Sequence, residues 1–445
     1  MNTDLTQGKI THHLRKLAVP ASIGMVFNTL YNVVDTFYSG KIGTDSLAGL
    51  TVSFPIFFII LALSSGIGSG TTALSSIAIG EKDIKRFHSL IKNSLLIGII
   101  LSIIIIIIAP SISAFLFKVS GVSAAPLIEG TKYMNTLFYG SLFFILNFIF
   151  NGILISQGDT KSYRNALIFG FFLNLILDPM FIYGWLFFPK LGTTGIALAT
   201  VIVQILTSLY MCYRVYKSPL FNFDSFKSSK ISKKVVGGLL KQSIPTSLNT
   251  ATIALGVFIV NYFILKFSNT STIAAYGVAM RIEQMALLPA MGLNSAALTI
   301  TGQNYGAKLY NRIFELRKKA LIIGVSIMII GGLIIYPLAP YLIGFFNKDP
   351  EVIRAGTVYL RIEFFAFPTY VILGILLSIM QGIKKPGFAV YIGLYRQIIM
   401  PIPLYYLLGN VLGLGVSGIW WGIVFLTWSS VVATYIYSRR QLKLL

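Results

Sequence analysis

Between Ser94 and Phe117 the chain carries no charged residue, and Ile103 to Ile108 are unbroken isoleucine. A run of that length exceeds the ~20 apolar residues that cross the hydrocarbon core of a bilayer. The chain therefore reads as an all-α polytopic membrane protein. Composition agrees: 55% of the 445 residues are hydrophobic and 11% charged, against roughly 25% charged in a soluble domain. Apolar blocks between polar breaks predict twelve transmembrane helices, near 15–39, 46–79, 93–117, 130–156, 163–187, 194–216, 239–266, 271–303, 320–346, 353–381, 387–409 and 413–437. No small-residue cleavage site follows the first block, so it reads as a retained helix and not as a signal peptide.

The net charge of +22 invites a nucleic-acid reading, but the basic residues follow loop parity. Lys9, Arg15 and Lys16, Lys82 to Lys92, Lys161 and Arg164, Arg214 to Lys241, Lys308 to Lys319, Lys384 and Lys385, and Arg439 to Lys443 share one side. Only Lys41, Lys118, Lys132, Lys190, Lys266, Lys348 and Arg354 fall on the other. By the positive-inside rule both termini are cytoplasmic, and no nucleic-acid partner is expected. Cys212 is the sole cysteine, which excludes an internal disulfide. The pair His12-His13 lacks a third ligand nearby, and with His88 it reads as part of the cytoplasmic edge.

Two aspartates interrupt this apolar background. Asp35 and Asp178 sit inside predicted spans, where a charge costs about 2.5–3.5 kcal/mol on insertion scales and marks a functional site by default. On the first span Asn28, Asn32, Asp35 and Ser39 follow spacings that share one helical face. Asn174 and Asp178 are an i, i+4 pair on the fifth, and Asn147 and Asn151 repeat that spacing on the fourth. These residues predict a polar pocket in the first half, built from the first, fourth, fifth and sixth spans. Desolvation and a second carboxylate nearby both favour proton loading, whereas sodium wants several oxygen ligands. The alternative is that the aspartates only lock the bundle by bonding asparagines. Such interhelical contacts average about 0.6 kcal/mol, too little to offset the charge.

The chain also reads as a duplication. Lys16-Leu-Ala-Val-Pro20-Ala-Ser recurs as Lys241-Gln-Ser-Ile-Pro245-Thr-Ser, Gly80-Glu-Lys82 as Gly306-Ala-Lys308, and Gln157-Gly158 as Gln381-Gly382, all at a nearly constant interval. Domain boundaries follow: a six-helix lobe over 1–217, a cytoplasmic linker over 218–237 and a second lobe over 238–445. Copies separated by an even number of helices share an orientation, with a cavity expected between them.

With Pro20, Asn32-Val-Val-Asp35-Thr-Phe-Tyr-Ser-Gly40, Asn174-Leu-Ile-Leu-Asp178-Pro179, Gly195-Ile-Ala-Leu-Ala-Thr200 and Thr301-Gly-Gln-Asn-Tyr-Gly-Ala307 in place, the whole chain resembles the multidrug and toxic compound extrusion (MATE) transporters, in particular their DinF-like bacterial branch. The resemblance implies two pseudo-symmetric six-helix lobes in a V around a central cavity, in a monomer of the bacterial cytoplasmic (inner) membrane. It implies alternating-access efflux of drug-like small molecules in exchange for protons or sodium, with no cofactor beyond that coupling ion. It also implies a cation site at Asp35, Asn174, Asp178 and Thr200, and bending of the first helix at Pro20. From the residues alone, Pro20 is open between a kink and a helix-start proline.

Cavity-facing contacts to substrate are expected from Phe27, Tyr31, Asn32, Tyr38, Tyr139 and Asn151. The seventh span has no carboxylate and places Asn261 near the position of Asp35, so a sodium site in the second lobe is not expected. Arg281, Glu283, Arg361, Glu363 and Arg396 form a candidate charge network there, with cross-helix pairs Arg281–Glu363 or Arg361–Glu283. Gly66-Ile-Gly-Ser-Gly70 lacks the lysine and strand of a phosphate loop, and reads as close helix packing. No catalytic triad or paired Mg²⁺-binding motif occurs, which points away from an enzyme. The competing reading, a flippase of lipid-linked precursors, needs a basic cavity that only Arg281, Arg361 and Arg396 could supply.

Overall fold

The computed structural model describes residues 4–119, 124–185 and 189–445. The side chain of Lys118 and the expected end of the fifth span at 187 lie outside what is described. Among the described residues the chain forms sixteen α-helices and two π-helical turns. Six of them make up the first predicted spans: α1 (Ile10–Ile42), α2 (Thr44–Gly80), α3 (Ile84–Val119), α4 (Ala124–Tyr139), α5 (Ser141–Ser156) and α6 (Lys161–Tyr183). After α7 (Thr193–Tyr216) and the short α8 (Phe223–Ser228) come α9 (Lys233–Phe267), α10 (Thr270–Gly306), α11 (Tyr310–Phe346), α12 (Pro350–Glu363) and α13 (Phe367–Gly382). The chain ends in α14 (Phe388–Leu394), α15 (Pro401–Tyr406) and α16 (Gly415–Lys443).

Nine of these helices are long and apolar enough to cross a membrane. Two more spans are bent pairs, α4 with α5 at 50° and α12 with α13 at 52°. The predicted span at 387–409 is α14 and α15 joined and followed by π turns at Tyr395–Ile399 and Leu407–Val411. Pro401 and Pro403 have no N–H to give, so the ordinary helical ladder cannot run through this stretch. Helix faces that a soluble protein would hide are open: Ile103 is 49% exposed, Ile107 69% and Phe345 79%. Apolar exposure on this scale belongs against lipid.

By its contacts the chain forms two compact units, one over Ile23–Ser247 and one over Leu5–Ser22 with Leu248–Leu445. The division departs from the expected halves in a symmetric way. α1 belongs to the second unit up to Ser22, and α9 to the first up to Ser247, so each half contributes the opening of its first helix to the other's unit. Pro20 and Pro245 each fall just before these transitions, well inside α1 and α9. Pro20 is therefore not a helix-start proline; its missing N–H interrupts the ladder in mid-helix.

Helix caps sharpen the duplication. Lys82, Gly158, Lys308 and Lys384 all adopt positive φ (58°, 85°, 59° and 62°). Each sits in the same cap, with the N–H of Asp83, Asp159, Leu309 and Lys385 returning to Ala78, Leu154, Asn304 and Met380. Lys82 and Lys308 are separated by the same interval as Gly158 and Lys384. The match of Gln157-Gly158 with Gln381-Gly382 is thus displaced by two residues: Gly158 corresponds to Lys384, and a lysine is held in the left-handed conformation that glycine takes freely.

In the first unit the glycines of α2 set the packing. A Cβ on Gly66 would meet Ser247 Oγ at 1.9 Å, and one on Gly70 would meet Ser243 Oγ at 2.4 Å, so this stripe packs directly on α9. Gly68 and Gly152 bring α2 and α5 together backbone to backbone. The close-packing reading of this segment is what the structure shows.

Candidate functional site

Asp35 lies on α1, Asn174 and Asp178 on α6 and Thr200 on α7, all within the first unit and all buried. Thr200 Oγ1 donates to Asp35 Oδ2 at 3.3 Å, and Asn174 Nδ2 donates to Asp178 Oδ1 at 3.0 Å. The two carboxyls also interact with one another and with Asn174. Asp35 Oδ1, Asn174 Oδ1 and Asp178 Oδ2 are buried without a hydrogen-bond partner among the described residues. No lysine, arginine or histidine among them forms an ion pair with either aspartate.

The arrangement is an oxygen-rich cradle without a built-in countercharge. Two carboxyls that share a site load and release a proton as a pair rather than as independent groups. Carboxylate, amide and hydroxyl oxygens are also the donors a hard monovalent cation takes. The cradle therefore fits either coupling ion.

Tyr31, one turn before Asp35, and Tyr133 of α4 border the same carboxyls. Tyr133 was not singled out by sequence, and tyrosine is too common in these spans for it to stand out. Its presence corrects the expected contribution of the fourth span. Asn147 instead donates to Gln204 of α7, at 3.1 Å to the backbone carbonyl and 2.7 Å to Oε1. Asn147 thus ties α5 to α7, and an Asn147→Ala variant is expected to lose about 1–2 kcal/mol of stability while keeping transport, which a melting curve beside an efflux assay checks.

The polar face of α1 is divided. Asn32 is exposed and donates back to Asn28 O at 2.8 Å, whereas Asp35 and Ser39 are buried. Ser39 meets Ser46 at 2.9 Å, and Thr193 donates to Ser46 at 2.9 Å, which ties α1, α2 and α7 beside the cradle. Asn151 is half-buried and Tyr139 is 66% exposed; among the described residues neither is hydrogen-bonded to the aspartates. Next to Asp178, a cavity of about 660 Å³ is lined by Tyr38, Leu175, Ile176, Pro179, Met180 and Trp185. Its lining is mostly apolar, and with Ile176 58% and Trp185 55% exposed it is an open recess.

The second unit holds a different group of acids. Tyr359 OH donates to Glu283 at 2.9 Å and Tyr370 OH to Glu363 at 2.5 Å. Arg396, on the first π turn, lies over the Tyr370 ring at 5.7 Å and within electrostatic reach of both glutamates. The expected pairs are corrected: Arg281 is exposed, and Arg361 lies over the Tyr336 ring at 5.4 Å, so neither forms an ion pair with Glu283 or Glu363. A tyrosine hydroxyl bonds one oxygen of each acid where an arginine was expected, and Glu363 Oε2 is buried without a partner among the described residues. Helical spacing could not have found either contact, since Tyr359 reaches Glu283 on another helix and Tyr370 lies beyond the break that follows Glu363.

At the interval fixed by the helix caps, Asp35 corresponds to Asn261. Asn174, Asp178 and Thr200 fall on Met400, Leu404 and Leu426. The cradle is thus confined to one copy, while in the second copy the buried Glu363 and the half-buried Glu283 lie on other helices.

The MatE family model matches the chain twice, over residues 20–180 and over 245–407. The probable multidrug resistance protein YoeA of Bacillus subtilis is 27% identical over 412 residues, which is 91% of this chain and 88% of YoeA. The FAD transporter of Shewanella oneidensis is 26% identical over 412 residues, 90% of this chain and 88% of its own. A solved structure described as MATE in the straight conformation superposes with a TM-score of 0.91 at 26% identity, over 99% of this chain and 98% of its own.

Proposed function

The chain belongs to the MatE family of transporters, membrane carriers and not enzymes, and from that premise we propose that it exports organic cations and amphiphilic drugs in exchange for protons or sodium. The observation that carries this reading is the cradle of Asp35, Asn174, Asp178 and Thr200, buried, oxygen-rich and without a countercharge. An ion held there cancels one negative charge of the pair; its release restores that charge, which a cationic substrate can then meet. Exchange of one for the other gives antiport by alternating access, since the same carboxyls cannot hold both at full strength.

The cavity lined by Tyr38, Met180 and Trp185 adds an apolar wall next to Asp178 and favours an amphiphile. Pro20 interrupts the helix that carries Asp35, so the ion state of the cradle and the bend of α1 are coupled in this account. Both termini and the segment 217–241 face the cytoplasm in a bacterial inner membrane, and the chain acts as a monomer. The filling of the four cradle positions by Asn261, Met400, Leu404 and Leu426 in the second copy supports the DinF-like reading. Against the flippase reading stands Arg396, whose charge is matched by two glutamates.

Counterflow in proteoliposomes tests the substrate class. Preloaded fluorescent cation is expected to exchange with external drug-like cations, and not with a lipid-linked pyrophosphate. FAD belongs in the same panel, because one relative is named for it. Exchange restricted to the pyrophosphate or to FAD would overturn the substrate assignment.

A further inference from the structure

We propose that the segment 217–241 is a docking surface for the anionic phospholipid headgroups of the cytoplasmic leaflet. Lys217, Lys227, Lys230, Lys233, Lys234 and Lys241 are all exposed, and Asp224 is the only acid among them. None of the ion pairs among the described residues uses any of these six. The segment is nevertheless fixed, and through its backbone. Lys92 Nζ donates to the carbonyls of Lys227 (3.0 Å) and Ser229 (2.7 Å), Asn93 Nδ2 donates to that of Lys230 (3.3 Å), and Asn93 Oδ1 accepts the Ser232 N–H (3.1 Å). His88 Nε2 accepts the Asn222 N–H at 2.8 Å.

With its main chain held on α3, the segment turns its lysine side chains outward. Phe223 (56% exposed) and Ile231 (60%) lie among them, uncovered by the rest of the unit. Cations interleaved with exposed apolar side chains at the end of a transmembrane helix match a surface of anionic headgroups over acyl chains. Orienting a chain in the membrane needs only the positive charge. It requires neither a pinned backbone nor an exposed phenylalanine, and these two features separate lipid docking from topology alone.

The proposal rests on the orientation given above, but a symmetric reconstituted membrane offers the same lipid on both faces and so tests it separately. In the full chain, Cys212→Ser with Phe223→Cys provides a single position for a bimane label. The labelled protein is reconstituted with brominated phosphatidylglycerol or brominated phosphatidylcholine. Quenching by the anionic lipid is expected to exceed that by the zwitterionic one about twofold or more, and to fall to parity at high salt. Parity is also expected after Lys227→Gln, Lys230→Gln, Lys233→Gln and Lys234→Gln together. Three positive charges removed elsewhere, by Arg439→Gln, Arg440→Gln and Lys443→Gln, should leave the preference intact. Equal quenching by both lipids at low salt, or equal loss in both charge variants, would overturn the proposal. The salt arm decides it even where a variant folds poorly.

Discussion

Asp35→Asn is expected to reduce ion-driven efflux by about tenfold or more, equivalent to at least about 1.4 kcal/mol of barrier, while leaving the protein folded. An asparagine there can still accept the hydrogen bond that Thr200 Oγ1 gives Asp35 at 3.3 Å, so the contact between α1 and α7 survives. What it cannot do is gain and lose a charge. Inverted vesicles that acidify their lumen and load a fluorescent cation provide the measurement. Binding of a cationic substrate by the purified variant should weaken but not vanish, since Asp178 and the apolar wall beside it are untouched. Asp178→Asn should behave alike, because Asn174 Nδ2 still finds an acceptor. Normal pumping by either variant would show that the cradle does not couple.

The second large effect is on folding. Gly152→Leu is expected to cost about 3 kcal/mol, the upper end of the usual range for overpacking, and to sharply reduce recoverable protein. A Cβ at Gly152 would meet the Gly68 carbonyl oxygen at 2.6 Å, and one at Gly68 would meet the Phe148 carbonyl oxygen at 2.8 Å. Both obstacles are backbone, so no side-chain rotation relieves them, and α2 and α5 must separate. Gly331→Ala is the matching control, for nothing lies within 4 Å of its Cβ position, and a small gain of about 0.5–1 kcal/mol is expected there. Yield and melting temperature of the purified variants read both outcomes.

The fold was legible because lipid imposes a simple rule: apolar length sets each span, and all twelve predicted blocks have a helical counterpart, one of them broken by π turns near Pro401 and Pro403. Asp35, Asn174 and Asp178 were legible for the opposite reason, as polar groups where insertion penalises them. Thr200 came only through family resemblance, since a threonine costs little in a membrane helix and leaves no mark. Asn147 was misplaced, and the polar face of α1 proved divided, because a shared helical face does not say which neighbour covers it. α1 buries Asp35 and Ser39 but leaves Asn28 and Asn32 exposed.

The second unit was misjudged by the same reasoning that succeeded in the first. Glu283 and Glu363 were matched to arginines by charge alone, whereas Tyr359 of another helix bonds the first and Tyr370, past the helix break, bonds the second. Buried carboxyls therefore occur in both units, although the cradle itself occurs in one. The exchange of helix openings at Pro20 and Pro245 was equally invisible, because a hydropathy pattern records where a helix runs and not what it packs against.

The central claim is that the cradle converts an ion gradient into export. Proteoliposomes containing the purified chain, given a pH gradient and a sodium gradient in separate experiments, test it most directly. One of the two gradients should drive accumulation of a fluorescent cation by the unaltered protein, and neither should do so in Asp35→Asn. If neither gradient drives the unaltered protein, or if the variant responds as well as it does, the account is wrong.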